Sequence, residues 1–225
     1  MILSKITSVA HVCEVGAYKT IFQHGLRPAR EICADFGCSP EAQRAHLRLP
    51  RTAAVPHGPH PEEGCARLAD NLPLLDPAWQ GYLRKSLAGS NCTLEEYCAL
   101  LNQRSYFWAA FEFKNGAVAG KAAGYTNNVT AGGPFEVIRL PFASLKRLVS
   151  DQGLAIELTD LNSGSAPHSI TRRGPDTWTP LAHYPQHREV REVTVIGRLC
   201  GLADTAEVLH VEDGRSKLIW MRGPR

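Results

Sequence analysis

Alternating and helical patterns of apolar positions predict a strand and then a short helix near the start of the chain. Residues 6–13 alternate well enough to form a strand. Tyr18, Ile21 and Phe22 then recur at i, i+3 and i+4, the spacing of one helix face. Gly25 follows at the position where a glycine commonly ends a helix. We therefore expect a strand, a helix and a bend at Gly25.

Two more amphipathic helices are predicted in the middle of the chain. Asp76 and Pro77 form a helix-start signal, and Gly89 ends the apolar series that follows them. Thr93 and Glu96 match a capping box, in which each side chain binds an exposed backbone amide of the other residue. Apolar residues at i, i+3, i+4 and i+7 come directly after this box, so helices dominate the first half.

The second half is rich in β-branched and aromatic runs, which predict strands. These runs cover residues 102–112, 135–141, 154–158, 191–197, 206–211 and 217–221. The last two are predicted to form a hairpin that turns near Asp213, and a short helix around Leu145 interrupts the series. Helices followed by strands favour an α+β fold with mostly antiparallel pairing.

Residues 49–64 contain four prolines and two glycines and are predicted to form a loop. The chain has 225 residues, of which 44% are hydrophobic, enough to bury a sizeable core. We expect a single domain over residues 1–225, with the proline-rich loop as an insertion.

Charge and cysteine content limit the compartment and the partners. A net charge of +3 permits a nucleic-acid partner without requiring one. No apolar run is long enough to span a membrane, and no secretory signal pattern is present. The seven cysteines are scattered and odd in number, which favours reduced thiols. We expect a cytoplasmic protein without membrane contact.

The familiar catalytic and metal-binding motifs are missing from the sequence. No nucleophile elbow, Walker A loop, zinc-protease helix or dinucleotide-binding glycine pattern occurs. Structural zinc sites use closely spaced cysteine pairs. The spacing of Cys33, Cys38, His57, His60 and Cys65 is looser, so we expect no metal.

Three separated segments carry the strongest chemical pattern. The first strand reads "AHVC", with His11 at its centre, and is followed by "YKTIFQHGL". The second segment is "NQRSYFW", which includes Arg104 and Tyr106. The third is "VREVTV", a late strand that contains Glu192.

This ordered set resembles the DarT-like branch of the ADP-ribosyltransferases. That branch has a histidine in its first strand, then a helix and Gly-Leu, an arginine at its second strand and a catalytic glutamate in a late "E-V-x-V" strand. His11, Gly25, Arg104 and Glu192 match these positions, whereas Cys13 stands where the branch has threonine. "LTDLNSGSAPH" and "RGPDTWTPL" also resemble a related uncharacterised bacterial family, and the resemblance covers residues 8–30 and 75–212.

The resemblance implies two small, mostly antiparallel sheets around an NAD cleft. NAD would be the substrate, and its ADP-ribose would pass to an acceptor, by analogy a nucleic acid base, with release of nicotinamide. Glu192 would stabilise the ribosyl cation and remove a proton, and Arg104 would hold a phosphate or the surroundings of Glu192. The candidate cofactor-binding residues are His11, Gly25, Arg104, Tyr106, Asn162 and Ser163.

Other functions and other partners stay open. An NAD glycohydrolase, an RNA 2′-phosphotransferase and a non-catalytic nucleotide-binding module fit the same fold. An antitoxin partner is compatible with a toxin of this type, and the sequence leaves its existence open.

The residues by themselves allow plainer roles. His11 also fits a hydrogen-bonded core histidine, Glu192 a solvated edge-strand residue and Arg104 a cation at a helix end. A basic series runs through the first variable region and fits either a phosphate backbone or a solvated face. Its members are Arg27, Arg30, Arg44, Arg48 and Arg51.

Overall fold

A computed structural model describes most of the chain. The described residues are 2–60, 64–68, 72–109, 112–114, 117–119, 133–164, 167, 169–213 and 215–221. The helices are α1 (Ala17–His24), α2 (Ala29–Asp35), α3 (Pro40–Arg48), α4 (Gln80–Ala88), α5 (Leu94–Leu101) and α6 (Phe142–Asp151). The strands are β1 (Ser8–Cys13), β2 (Val55–His60), β3 (Gly64–Leu68), β4 (Arg104–Trp108), β5 (Glu112–Lys114), β6 (Ala117–Ala119), β7 (Phe135–Pro141), β8 (Ala155–Thr159), β9 (Thr179–Pro180), β10 (Glu192–Ile196), β11 (Glu207–Glu212) and β12 (Arg215–Met221).

One eight-stranded sheet has the order β12-β11-β7-β1-β4-β10-β8-β9, and all its pairings are antiparallel. The α+β class and the antiparallel pairing are therefore confirmed. The expected division into two small sheets is wrong, because β1 pairs on both sides and joins the halves. Its pairing with β7 runs along the whole strand, but its register with β4 contains one pair, Ala10 with Trp108.

Apolar side chains cover both faces of this sheet. On one face, Phe107, Ile138 and Val193 lie in the main core with Leu145 and Val149 of α6. On the other face, residues of α4 and α5 pack with Trp178 against β4. A smaller cluster on that second face belongs to β1, β7 and β11.

The proline-rich segment is not simply a loop. β2 and β3 form a separate two-stranded antiparallel hairpin over much of it, so the loop prediction is wrong for residues 55–60. In a two-stranded hairpin each strand keeps one unpaired edge, where a proline removes no ladder hydrogen bond. Residues 61–63 lie outside the described part of the chain.

The capping box and the hairpin that the sequence predicted are both present in the structure. The Thr93 hydroxyl accepts from the Glu96 amide at 3.2 Å, and the Glu96 carboxylate accepts from the Thr93 amide at 2.8 Å, which confirms the capping box. The predicted hairpin of β11 and β12 is also confirmed.

No helix in the described ranges has the length and apolar character needed to cross a bilayer.

Candidate functional site

The register of β4 and β10 places three candidate residues on one face of the sheet. Glu192 pairs with Trp108, and Thr194 pairs with Tyr106. Because side chains alternate along a strand, Glu192, Tyr106 and Arg104 all point to the face that α5 covers. β10 lies between β4 and β8, so Glu192 is not an edge-strand residue.

Glu192 is a buried carboxyl group with 5% of its surface exposed. The amide of Ser163 lies 3.2 and 3.3 Å from its two oxygens, and the Ser163 hydroxyl donates to Oε2 at 2.6 Å. Burial raises the pKa of Glu192 to about 7, although the Ser163 hydrogen bonds and the charges of Arg173 and Arg191 act in the opposite direction. This carboxyl group therefore changes its protonation near neutral pH.

The loop after β8 presents Ser163 to this carboxyl group and is held from two sides. The Tyr97 hydroxyl donates to the Ser163 carbonyl at 2.9 Å, and Arg173 donates to the Asn162 carbonyl at 3.0 Å. Ser163 is itself fully buried. Glu192, Asn162, Ser163, Tyr97 and Arg173 therefore form one connected group, the Glu192 cluster.

Arg104 lies in a buried ion pair beside the cluster. Its Nε and Nη2 both lie 2.8 Å from Oε2 of Glu157, and its Nη1 donates to the Leu100 carbonyl at 2.6 Å. Its guanidinium carbon also lies 4.1 Å from the centre of the Trp178 ring. The bond to Leu100 is the helix-end role that the sequence left open, and the ion pair adds a second role.

Tyr106 lies beside the cluster, and its hydroxyl group donates to the Leu101 carbonyl of α5 at 2.9 Å. Burial raises the pKa of Tyr106 well above its ordinary value, and the nearby charge of Glu192 raises it further. Tyr106 is therefore a neutral phenol that packs against α5.

His11 lies on the opposite face of the sheet, with its ring 6.0 Å from that of Phe107. Its Nδ1 lies 2.9 Å from the Tyr106 carbonyl. Because a carbonyl can only accept, Nδ1 carries the proton, and burial lowers the pKa of the ring. This is the hydrogen-bonded histidine that the sequence allowed, and it connects β1 to β4 where their register is short.

Gly25 also lies apart from Glu192, at the end of α1. Its φ of 83° is in the left-handed region, and a Cβ atom would lie 3.0 Å from the Leu199 carbonyl oxygen. Leu26 pairs with Leu199 across this contact. A tight turn and a close backbone approach thus account for the glycine. As NAD contacts, His11 and Gly25 stay predictions.

Sequence reasoning missed Tyr97, which belongs to the cluster, and Glu157, which lies beside it. Tyr97 was visible as part of an apolar helix face, where a phenol needs a buried acceptor. Glu157 interrupts the apolar run "LAIEL", and a charge inside such a strand requires a partner. That signal was present, but it did not identify Arg104 as the partner.

Two cavities of about 740 Å³ and about 660 Å³ lie elsewhere on the molecule, and Glu192 lines neither. Cys33 and Cys38 are not joined in a disulfide. The side chains of His57, His60 and Cys65 lie outside the described residues, so the expectation of no metal stays a prediction.

The fold and this cluster define an α+β protein that holds a buried carboxyl group between an eight-stranded antiparallel sheet and α5. The chain belongs to DUF7002, a family of unknown function, whose pattern matches residues 7–206. The match starts one residue before β1 and ends just before β11, so it includes every candidate site residue. Comparison with curated proteins and with solved structures gives no match.

Proposed function

We propose that this protein transfers ADP-ribose from NAD to an acceptor, a nucleic acid base, and releases nicotinamide. The bond between the ribose C1′ and the nicotinamide nitrogen breaks, and its electron pair leaves with nicotinamide. A lone pair of the acceptor forms the new bond to C1′. The proton that the acceptor loses passes to the Glu192 carboxylate.

The observation that carries the proposal is the buried Glu192, with its pKa of about 7 and its three contacts to Ser163. A fixed carboxylate in a low-dielectric site stabilises a developing positive charge more strongly than a solvated one. A pKa near the working pH also suits a group that accepts a proton. Losing such a group costs about 10²–10⁴-fold in rate.

The choice of NAD as the substrate rests on the resemblance of the three segments to the ADP-ribosyltransferases. Arg104 and Glu192, which match two of those segments, do point to one face of the sheet. The guanidinium of Arg104 already donates to Glu157 and Leu100. We therefore assign Arg104 a positioning role, in which it holds Glu157 and Trp178 beside the cluster.

A second candidate is a nucleotide-binding module without turnover. It is favoured by the position of His11, which lies on the face opposite to Glu192. The low exposure of Glu192 also favours it, since the carboxyl group is closed off by Ser163.

The test uses adenylate-labelled NAD and purified protein, with single-stranded DNA, duplex DNA, RNA and cell protein offered as separate acceptors. The site variant is Glu192→Gln, and the matched control is Glu212→Gln, the same change at an exposed side chain. Label that moves onto a nucleic acid with the wild type and the control, but not with Glu192→Gln, supports transfer.

The other outcomes separate the alternatives. Free ADP-ribose without a labelled acceptor indicates a glycohydrolase, and loss of a 2′-phosphate from RNA indicates the phosphotransferase. NAD binding without turnover supports the binding module. Transfer that is unchanged in Glu192→Gln contradicts the proposed role of Glu192.

A further inference from the structure

A polar groove of about 660 Å³ lies between α3 and α5. Three arginines line it, together with two glutamines and one glutamate. These residues are Arg30, Gln43, Arg44, Arg48, Glu95 and Gln103. The groove lies outside the Glu192 cluster and is independent of it.

The charges of the groove are unbalanced. Arg44 and Arg48 lie 3.7 and 3.6 Å from the same carboxylate, that of Glu95, and both side chains are more than half exposed. Arg30 is exposed and forms no ion pair with any residue that the structure describes. Glu96 adds a second carboxylate that interacts with Arg48. Three guanidinium groups therefore face two carboxylates, which leaves an excess of positive charge at one concave surface.

Hydrogen bonds of buried side chains join the two helices at the floor of the groove. Asn102 is buried, and its amide nitrogen donates to the Leu47 carbonyl at 3.0 Å and to the Cys98 carbonyl at 2.8 Å. Arg51 is also buried and donates to the Asn102 side-chain oxygen at 3.0 Å. These bonds connect α3 to α5, so the arginines above them have a fixed base.

We propose that this groove binds the phosphodiester backbone of single-stranded nucleic acid. Arg44 and Arg48 are one helical turn apart, about 6 Å along α3, so they can contact successive phosphates. A guanidinium group binds a phosphate through two parallel hydrogen bonds, and this geometry favours arginine over lysine. The amides of Gln43 and Gln103 can contact sugars and bases beside the backbone.

The shape of the groove selects a single strand. α3 and α5 are joined through Asn102, so the groove is a concave surface above their contact, which one flexible backbone can follow and a stiff duplex cannot. A flat bilayer surface cannot enter a concave groove. A phosphodiester strand carries one charge at every repeat, which suits Arg44 and Arg48 on successive turns of α3.

The groove is one helix away from the Glu192 cluster. Glu95 and Ala99 of α5 line the groove, whereas Tyr97 and Leu101 of the same helix face the cluster. An α-helix is about 10–12 Å wide with its side chains. That the bound strand is also the acceptor rests on the proposed function, but the binding itself does not.

Binding is tested without NAD, by fluorescence anisotropy of labelled 12-nucleotide single-stranded DNA and RNA, with the corresponding DNA duplex as a third probe. The variant Arg44→Gln/Arg48→Gln removes two charges from the groove. Arg84→Gln/Lys85→Gln removes two charges from exposed positions of α4 and is the matched control. Thermal unfolding followed by circular dichroism checks that each variant is folded.

We expect the groove variant to bind a single strand at least ten-fold more weakly than the wild type and the control. The slope of log K against log salt should become shallower by about 0.7 for each phosphate contact that is lost. Glu95→Gln should tighten binding several-fold, since it removes one of the competing carboxylates. Glu192→Gln should bind like the wild type, so a failure of catalysis and a failure of the groove are distinguishable.

Three results would overturn the inference. Equal binding by the groove variant and the wild type removes the groove from recognition. Equal weakening in the control shows that net charge alone is responsible. A poly-glutamate peptide that displaces the strand at the same charge concentration shows a general site for acidic chains.

Discussion

Among the described residues, each half of the sheet has one glutamate with 5% or less of its surface exposed, but the two lie in different surroundings. In the half formed by β12, β11, β7 and β1, Glu136 accepts from the Gly16 amide at 2.8 Å, at the start of α1. In the half formed by β4, β10, β8 and β9, Glu192 is bound by Ser163 of a loop. The first carboxylate holds a helix on the sheet. The Glu192 carboxyl group lies among further polar side chains, and its pKa of about 7 suits it to accept a proton.

The remaining side chains of the two half-sheets also differ, since those around β7 are mostly apolar and those around β10 include polar pairs. Apolar clusters cover both faces of β7, and its neighbours β1 and β11 pair with it over long registers. The other half contains the ion pair of the buried Arg104 with the partly buried Glu157, and the buried Thr194, whose hydroxyl donates to the Glu157 carbonyl. The half-sheet around β7 is therefore stabilised by apolar packing, whereas the half-sheet around β10 buries polar groups at a cost in folding free energy.

The largest expected effect separates the two glutamates by activity. Glu192→Gln should lower transfer by about 10²–10⁴-fold, because it removes the base and the fixed negative charge. Glu136→Gln keeps an acceptor for the Gly16 amide and should retain activity while unfolding at a lower temperature. Labelled-NAD transfer and thermal unfolding are measured on both variants. Similar activities in the two would remove the distinction.

The next effect concerns the buried ion pair of Arg104 and Glu157, which is found in only one of the two halves among the described residues. Arg104→Met leaves the Glu157 carboxylate unpaired and should cost about 3–5 kcal/mol of unfolding free energy. Arg104→Met/Glu157→Leu should recover much of that loss, since no isolated charge remains. Urea unfolding of the single and double variants gives the answer. A double variant as unstable as the single one would contradict this account.

Local signals predicted much of the scaffold. The capping box at Thr93 fixes where α5 begins, and the left-handed Gly25 ends α1 as its position indicated. α2 and α3 were missed, although Ser39 caps α3 and Pro40 occupies its first turn. The signal at Ser39 and Pro40 was missed because residues 49–64 are rich in proline, which usually indicates a loop. Proline is also tolerated in edge strands such as β2.

The candidate site was harder to predict, because its contacts join distant parts of the chain. Arg104 and Glu157 meet only after β4 and β8 have both paired with β10. The face on which His11 lies depends on a single register pair between β1 and β4. Sliding that register by one residue would move His11 to the face of Glu192. The register between two strands that are far apart in the sequence is not contained in the local pattern of either strand.

A third prediction uses the pKa of Glu192. The folded pKa of about 7 is above the ordinary value of 4.5, so the folded protein binds the proton more tightly than the unfolded chain. The resulting stability is fully present below pH 4.5 and is lost as the pH rises to about 7. The loss should be a few kcal/mol. Activity that needs the ionised carboxylate should reach half its maximum near pH 7 and level off above it.

Wild type and Glu192→Gln are compared by urea unfolding at pH 5 and pH 8, and transfer is measured across the same range. Because glutamine does not titrate, the wild type should lose stability relative to the variant between these pH values. A constant difference between the two proteins would show that Glu192 does not bind a proton preferentially in the folded state.

The smallest effect tests how the two halves are joined. His11→Phe keeps an aromatic ring beside Phe107 but removes the donor to the Tyr106 carbonyl. Leaving that carbonyl without its partner should cost about 1–3 kcal/mol of unfolding free energy. If His11 acts only as a connection between β1 and β4, the affinity for NAD should stay unchanged in calorimetry. A ten-fold weaker affinity in a folded variant would instead support the ribose contact that the sequence resemblance implies, and the opposite face would then have to be part of the site.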